Sequence, residues 1–334
     1  MTEAAQLRWF FSALRLQGSI LPRILPRMAL FCGLSLGVVA TYQQGLWTNS
    51  DDLKALTGNV ACNLVLGLLL VFRTNTAYER FWEGRKAWGS LVITTRNLAR
   101  EIQVSVDAPL AADQAEKKRA LNRLVSFAIA TKCYLRQESP IDELKDLLAA
   151  ADLDQIKLAH RPPQLVTFWL SHYVQQQFQQ QHMTARQRSD INAGINTLVE
   201  ALSGCERIIK TPMPLSYGIY LKRLTLLYCL LLPLGLAGQL GWWTPAVIAV
   251  VSFVLLGVEE IGNEIEDPFG YDFNDLKLDD ICHTLRQDIK STLAFGADGV
   301  LLAAASVEDL LAASPLEENP TKENLEKENL LKQD

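Results

Sequence analysis

From Ala55 to Phe72 the chain runs for 18 residues without a charge, then turns densely charged as FRTNTAYERFWEGRKAWGS, with no proline and only Gly84 and Gly89 as weak breakers. At 1.5 Å per helical residue the uncharged part rises through roughly 27 Å, close to the hydrocarbon thickness of a bilayer. The pattern predicts one helix that leaves the lipid and continues into water. Such a helix joins a membrane half to a soluble half and limits the fold to architectures that can hold both.

Asn59 and Asn63 fall four apart inside the uncharged run and so share a helical face. Amides facing lipid cost free energy unless they find partners. That face is expected to meet other protein, through helix-packing hydrogen bonds, or to line a wet passage.

The remaining apolar residues also come in blocks. Met28 to Ser50 and the 35 residues from Leu224 to Val258 carry no charge, and the latter run is interrupted by the turn-like Gly-Trp-Trp-Thr-Pro at Gly241 to Pro245. Four membrane-spanning helices are expected; a soluble protein with buried core helices is the alternative. Arg8, Arg15, Arg23 and Arg27, mixed with Trp9, Phe10, Phe11 and Leu14, precede the first span. They read as an interfacial amphipathic segment on the cytosolic side, without the pattern of a cleaved signal. Arg73, Arg80, Arg85 and Lys86 after the second span, and Lys222 and Arg223 before the third, obey the same charge rule. Both termini are therefore expected in the cytosol.

This divides the chain into an interfacial segment (1–27), two spans with a soluble extension (28–89), a helical cytosolic region (90–220), two further spans with an acidic segment and a following helix (221–305), and a charged, apolar-poor tail (306–334) expected to be disordered. Within the cytosolic region Leu121, Leu124, Val125, Ala128 and Ile129 recur at three-and-four spacing. Ser139-Pro140 opens a short acidic helix through Ala151, Pro162-Pro163 another, and Thr184 a fourth. No period-two pattern suggests strands, so the fold class is all-α.

Signals for chemistry are sparse. His160, His172, His182 and His283 are isolated, with no HExxH, P-loop, GxGxxG or nucleophile elbow, so no enzyme and no catalytic residue is expected. The six cysteines form no CxxC pair, and no basic stripe with interleaved aromatics suggests nucleic acid. The one concentration of potential ligands is Glu259, Glu260, Glu264, Glu266, Asp267, Asp272 and Asp275. As an EF-hand it fails, because Leu276 stands where the fifth-position ligand belongs.

Phe72, Arg73, Tyr78, Arg80, Phe81, Trp82, Glu83, Arg85, Trp88 and Gly89, with the later GVEEIGNEIEDPFGYDFNDL from Gly257 to Leu276, resemble in order the signatures of the bestrophin ion channels, in particular their bacterial and plant-chloroplast branch. The resemblance spans roughly residues 8–290. It implies a homopentamer around one axial pore, passing small inorganic ions. Counting back from Arg80-Phe81-Trp82, it places the pore neck at Leu64, Leu68 and Phe72, a stripe of period four. Five copies would stack three apolar rings that block ions by dewetting. A second narrowing is implied near Met183 to Arg186.

Animal members of that family carry a calcium clasp of consecutive acids directly after Pro-Phe-Gly, where this chain has Tyr271-Asp272-Phe273-Asn274. No cofactor is therefore expected, with calcium as the alternative. Glu259, Glu260, Glu264 and Asp267 are read instead as a charge network with arginines such as Arg73, Arg80 and Arg85. Anions such as chloride or bicarbonate are the implied cargo, in the inner membrane or a thylakoid. The aliphatic neck weakens the anion inference and leaves a cation channel of the same fold open. A membrane-anchored metalloprotein using Glu259–Asp275 and a non-conducting scaffold are the alternatives from other classes.

Overall fold

The computed structural model describes residues 18–46, 55 and 57–296, and every regular element among them is helical. The first 17 residues, the end of the helix expected to reach Ala305 and the tail at 306–334 lie outside the described residues.

Helix α1 (Leu21–Gln43) begins earlier than the uncharged run suggested. Pro22 sits in the first turn, where a missing N–H is of no consequence, and Pro26 follows one turn later. Arg23 and Arg27 thus belong to the first apolar helix itself and not to a separate segment. Helix α2 (Val60–Ser105) runs for 46 residues, roughly 69 Å, passing Gly84 and Gly89 without a break and continuing well beyond them.

Four of the next five helices belong to the polar layer's main packing: α3 (Ala111–Leu135), α5 (Ala150–Leu158), α6 (Pro162–Gln179) and α7 (Ala185–Lys210); the single-turn α4 (Ile141–Leu144) sits between α3 and α5. The one acidic helix expected from Pro140 to Ala151 is in fact α4 and α5, with a turn between them that lets both Leu144 and Leu148 reach the core. Helix α3 is the centre of this layer: Leu121, Leu124, Val125, Phe127, Ala128 and Ile129 are all buried, on more than one face. It packs on α6 and α10 (Leu278–Gly296), while the second half of α2 packs on α7 and α10. Trp88, Leu91, Leu98 and Ile102 are the buried face of α2 in this core.

Among the described residues three stretches are long and apolar enough to cross a membrane: Leu21–Gln43, Val60–Ser105 and Leu215–Glu266. The third comprises α8 (Leu215–Leu240) and α9 (Thr244–Glu266), separated by a 3-10 turn at Gly241–Trp243 in which Gly241 takes φ +50°. Leu221 of α8 and Val258 of α9, from the ends far from that turn, meet Leu66 and Leu70 of α2 in one cluster, so the stretch is folded back on itself. With α1 these helices form the apolar layer, where Ile24, Phe31, Leu232, Ile248 and Leu256 pack together.

Candidate functional site on the long helix

Helix α2 has two unlike faces along its apolar half. Leu66, Leu70, Arg73 and Ala77 are buried against α8 and α9, whereas Leu64, Leu68 and Phe72 are 69%, 50% and 54% exposed. The latter three stand one turn apart on a single uncovered stripe. No described residue of the subunit covers them.

Asn59 does not lie within the helix. It is the N-cap, its side chain accepting from Ala61 N at 2.9 Å and Cys62 N at 3.3 Å, and the Asn63 amide donates to the Thr57 carbonyl at 3.4 Å. The two amides therefore satisfy backbone groups at the helix start, and the uncharged helical run before Arg73 shortens to Val60–Phe72, roughly 20 Å.

At the other end of that run Arg73 is 5% exposed. Its Nη2 donates to Asn263 Oδ1 at 2.5 Å and to Glu266 Oε2 at 3.1 Å. Glu266 is held in turn by Met213 N at 3.3 Å. Arg80 finds no carboxylate among the described residues and instead caps the end of α7, donating to the Ile208 and Thr211 carbonyls at 2.6 and 2.5 Å, and to the Glu266 carbonyl at 3.3 Å. Arg85 lies over the Trp82 ring at 5.7 Å. Of the three arginines expected to meet the acids, then, only Arg73 forms an ion pair with the segment among the described residues.

The acids instead meet the cations of α1 and α8. Glu260 pairs with Arg27 at 3.2 Å; the buried Glu259 lies 3.9 Å from Arg27 and 4.0 Å from Lys222 and accepts from Asn263 Nδ2 at 3.2 Å. Glu264 accepts from Asn274 Nδ2 at 3.1 Å with Arg23 at 3.9 Å, and Arg23 reaches Asp272 at 2.5 Å. Asp267 Oδ1 accepts from Phe269 N at 3.2 Å, which starts the Pro-Phe-Gly turn. The sequence carried one usable signal for these pairs: Arg23 and Arg27, four apart, match the repeat of Glu260 and Glu264 on an opposing helix.

Two cations at the C-terminal end of α3, Lys132 in its last turn and Arg136 at its C-cap, carry no signal in the sequence. Arg136 donates to the carbonyls of Phe269 at 2.9 Å and Gly270 at 3.1 Å, pairs with Asp279 at 2.9 Å and covers the Tyr271 ring at 4.0 Å, locking the turn to the polar layer. Lys132, 2% exposed, bonds Glu143 at 2.7 Å and Asp279 at 2.6 Å. Burial pulls its pKa down, and the two carboxylates outweigh that and hold it above the ordinary value. Asp275 is the converse case: burial, with Asp272, Asp267 and Glu264 nearby, pushes its carboxyl up to about 6 although its Oδ2 accepts from Asp272 N at 2.7 Å.

Among the described residues no three His, Cys, Asp or Glu side chains converge to hold a metal ion. Of the carboxylates after α9, Asp267 and Asp275 accept from backbone amides and Asp272 pairs with Arg23, while Asp275 Oδ1 is buried with no hydrogen-bond partner among the described residues. Met183 is buried within the core of its own subunit, while Arg186 is exposed and pairs with Asp190 at 2.9 Å. Of those two, only Arg186 is free to face a passage.

Comparison with known proteins supplies the context for this geometry. Residues 1–291 match the family model described as Bacterial/Fungal Bestrophin protein. The chain is 48% identical over 287 residues to the voltage-dependent anion channel-forming protein alr2987 of Nostoc sp., covering 85% of this chain and 92% of that one. It is 42% identical over 285 residues to the like-named sll1024 of Synechocystis sp., with the same coverage of 85% and 92%. Among solved structures, a bacterial bestrophin homolog from Klebsiella pneumoniae superposes with a TM-score of 0.73 at 28% identity, over 81% of this chain and 98% of that one.

Proposed function

Since the chain belongs to the bacterial/fungal bestrophin family of membrane channel proteins, we propose that it assembles as a homopentamer and conducts small anions passively through one axial pore. In this reading α1, α2, α8 and α9 are four crossings, and both termini and the polar layer lie in the cytosol. The neck is the stripe Leu64, Leu68 and Phe72 from five copies of α2. The observation that carries it is the exposure of that stripe along a helix whose opposite face is packed. A four-crossing subunit has little room for a hydrophilic path of its own, and identical subunits supply one between them.

Three apolar rings resist hydration when narrow and conduct when slightly widened, so the neck acts as a dewetting gate. The rigid connection needed to move it is α2 itself, continuous from the neck to the core of the polar layer. Arg73 just below Phe72 is neutralised by Glu266, so it braces α2 against α9 and does not present a free charge to the pore. Anion preference is supported by the Nostoc and Synechocystis relatives, both of which are named anion channel-forming proteins.

Reconstitution in planar bilayers tests the reading. Unitary current steps, a reversal potential under a chloride gradient that follows chloride, and a pentameric mass in native mass spectrometry are expected. Absence of steps from well-folded protein points to the scaffold, and a reversal potential of opposite sign to a cation channel.

A further inference from the structure

Where the end of α2 meets the start of α3, the α4–α5 connection and the end of α10, the chain forms an open cavity of about 690 Å³. Small-molecule sites have volumes of this order. Four cations line it, Lys117 and Lys118 from α3 and Arg286 and Lys290 from α10, against two carboxylates, Asp107 and Asp146. Asp146 is committed to Arg286 Nη2 at 3.1 Å. Lys118 and Lys290 are exposed and have no carboxylate within ion-pair distance among the described residues.

The wall also holds polar groups left without partners. Arg286 Nε is a buried donor, and Gln103 Oε1 a buried acceptor, with no hydrogen-bond partner among the described residues; of the two, the donor is the group an anion can satisfy. Lys117 donates to the Gln103 carbonyl at 3.2 Å, and burial pushes its amine below the ordinary lysine value, with Asp107 only partly opposing. Like charges that converge on one cavity repel one another, and a counter-anion bridging them relieves both the repulsion and the unused donor.

We propose that this cavity binds a small, water-borne multivalent oxyanion, the chemistry of phosphorylated metabolites, held between Lys118 on α3 and Lys290 on α10 with Lys117 and Arg286 behind them. A lipid headgroup is excluded by distance, because the helix from Phe72 to Gln103 covers roughly 46 Å. A single halide would neutralise only one of the converging cations, whereas pyrophosphate can meet several at once. The ligand would bridge α3 and α10 across the end of α2 and so fasten the part of the polar layer that holds the long helix.

The test uses the full-length protein in detergent, with inorganic pyrophosphate as the probe in isothermal titration at constant ionic strength. Saturable binding, one per subunit, is expected. Lys118→Ala and Lys290→Ala should each weaken it roughly tenfold, the scale of one charge-assisted hydrogen bond. Both lysines are exposed, so the variants should keep the parent melting temperature; melting curves verify that the fold is intact. Pyrophosphate binding no tighter than chloride, or undiminished in the folded double variant, overturns the proposal. Because the readout is binding, the outcome is independent of whether the protein conducts.

Discussion

Gly84 of α2 lies against Pro268 so closely that a Cβ on the glycine would stand 2.9 Å from Pro268 Cγ and 3.2 Å from the Phe269 ring. The two stretches that resemble the family most, some 180 residues apart in the chain, are therefore one contact. The glycine lets the Pro-Phe-Gly turn rest directly on the long helix, just below the proposed membrane half, and Arg136 fastens the turn from its other side.

Gly84→Val should accordingly lower the melting temperature, with overpacking of about 1–3 kcal/mol. Gly89→Ala is the matched control on the same helix. Nothing lies within 4 Å of a Cβ there, so the added methyl should leave stability unchanged or raise it by up to about 1 kcal/mol. Thermal unfolding of the two purified variants checks the opposing signs.

Arg73→Met removes the donor shared by Asn263 and Glu266 and leaves a carboxylate without its cation. A loss of about 3 kcal/mol is expected, the scale for breaking a buried pair. Arg73→Lys should recover only part of it, because a single ammonium can stand in for Nη2 toward Asn263 and Glu266 but leaves nothing in the place of Nη1, which donates to Met213 Sδ at 3.6 Å. Urea or thermal denaturation of both variants provides the comparison.

Leu68→Ala and Leu66→Ala separate the two faces of α2. Leu68 is on the uncovered stripe, so its truncation should enlarge or prolong unitary currents while changing subunit stability little. Leu66 is 3% exposed, and its truncation should cost about 2–5 kcal/mol of stability without widening the neck. Equal conductance in parent and Leu68→Ala channels would count against the stripe as the neck.

Asp275 makes stability depend on pH with an unusual sign for a carboxyl. Its pKa rises from the ordinary 3.8 to about 6 on folding because burial disfavours the anion. Between those values the folded state binds more protons than the unfolded one, so the ionisation of this group costs stability increasingly as pH rises through the window, and that cost is complete above it. Asp275→Asn keeps an acceptor for Asp272 N while removing the charge. The variant should melt higher than the parent at pH 7.5, with the gap closing as pH falls through about 6 toward 4.

Much of the fold was legible in the residues. The length of uncharged runs located the apolar helices, and three-and-four spacing located α3, because both depend on neighbours within a turn or two. Errors fell where one side chain decided a boundary. Asn59, which the uncharged run places inside a helix, is its N-cap, and the Pro140–Ala151 stretch, whose pattern predicts one helix, is two. The stripe Leu64, Leu68 and Phe72 was chosen by resemblance, since periodicity alone cannot distinguish a pore face from a lipid face.

What the amino-acid sequence determined by itself is an all-helical chain with an apolar and a polar zone, and one helix long enough to belong to both. Only the tertiary structure decided which charges meet: Arg23 finds Asp272, and Arg136 the Phe269 carbonyl, across 249 and 133 residues. It also decided that Arg80 caps a helix in place of joining the acids, and that four cations surround a cavity at the end of α2. Helical period and charge-free length are local properties written in consecutive residues. Ion pairs, caps between helices and cavities depend on where distant segments come to rest, and no single segment records that.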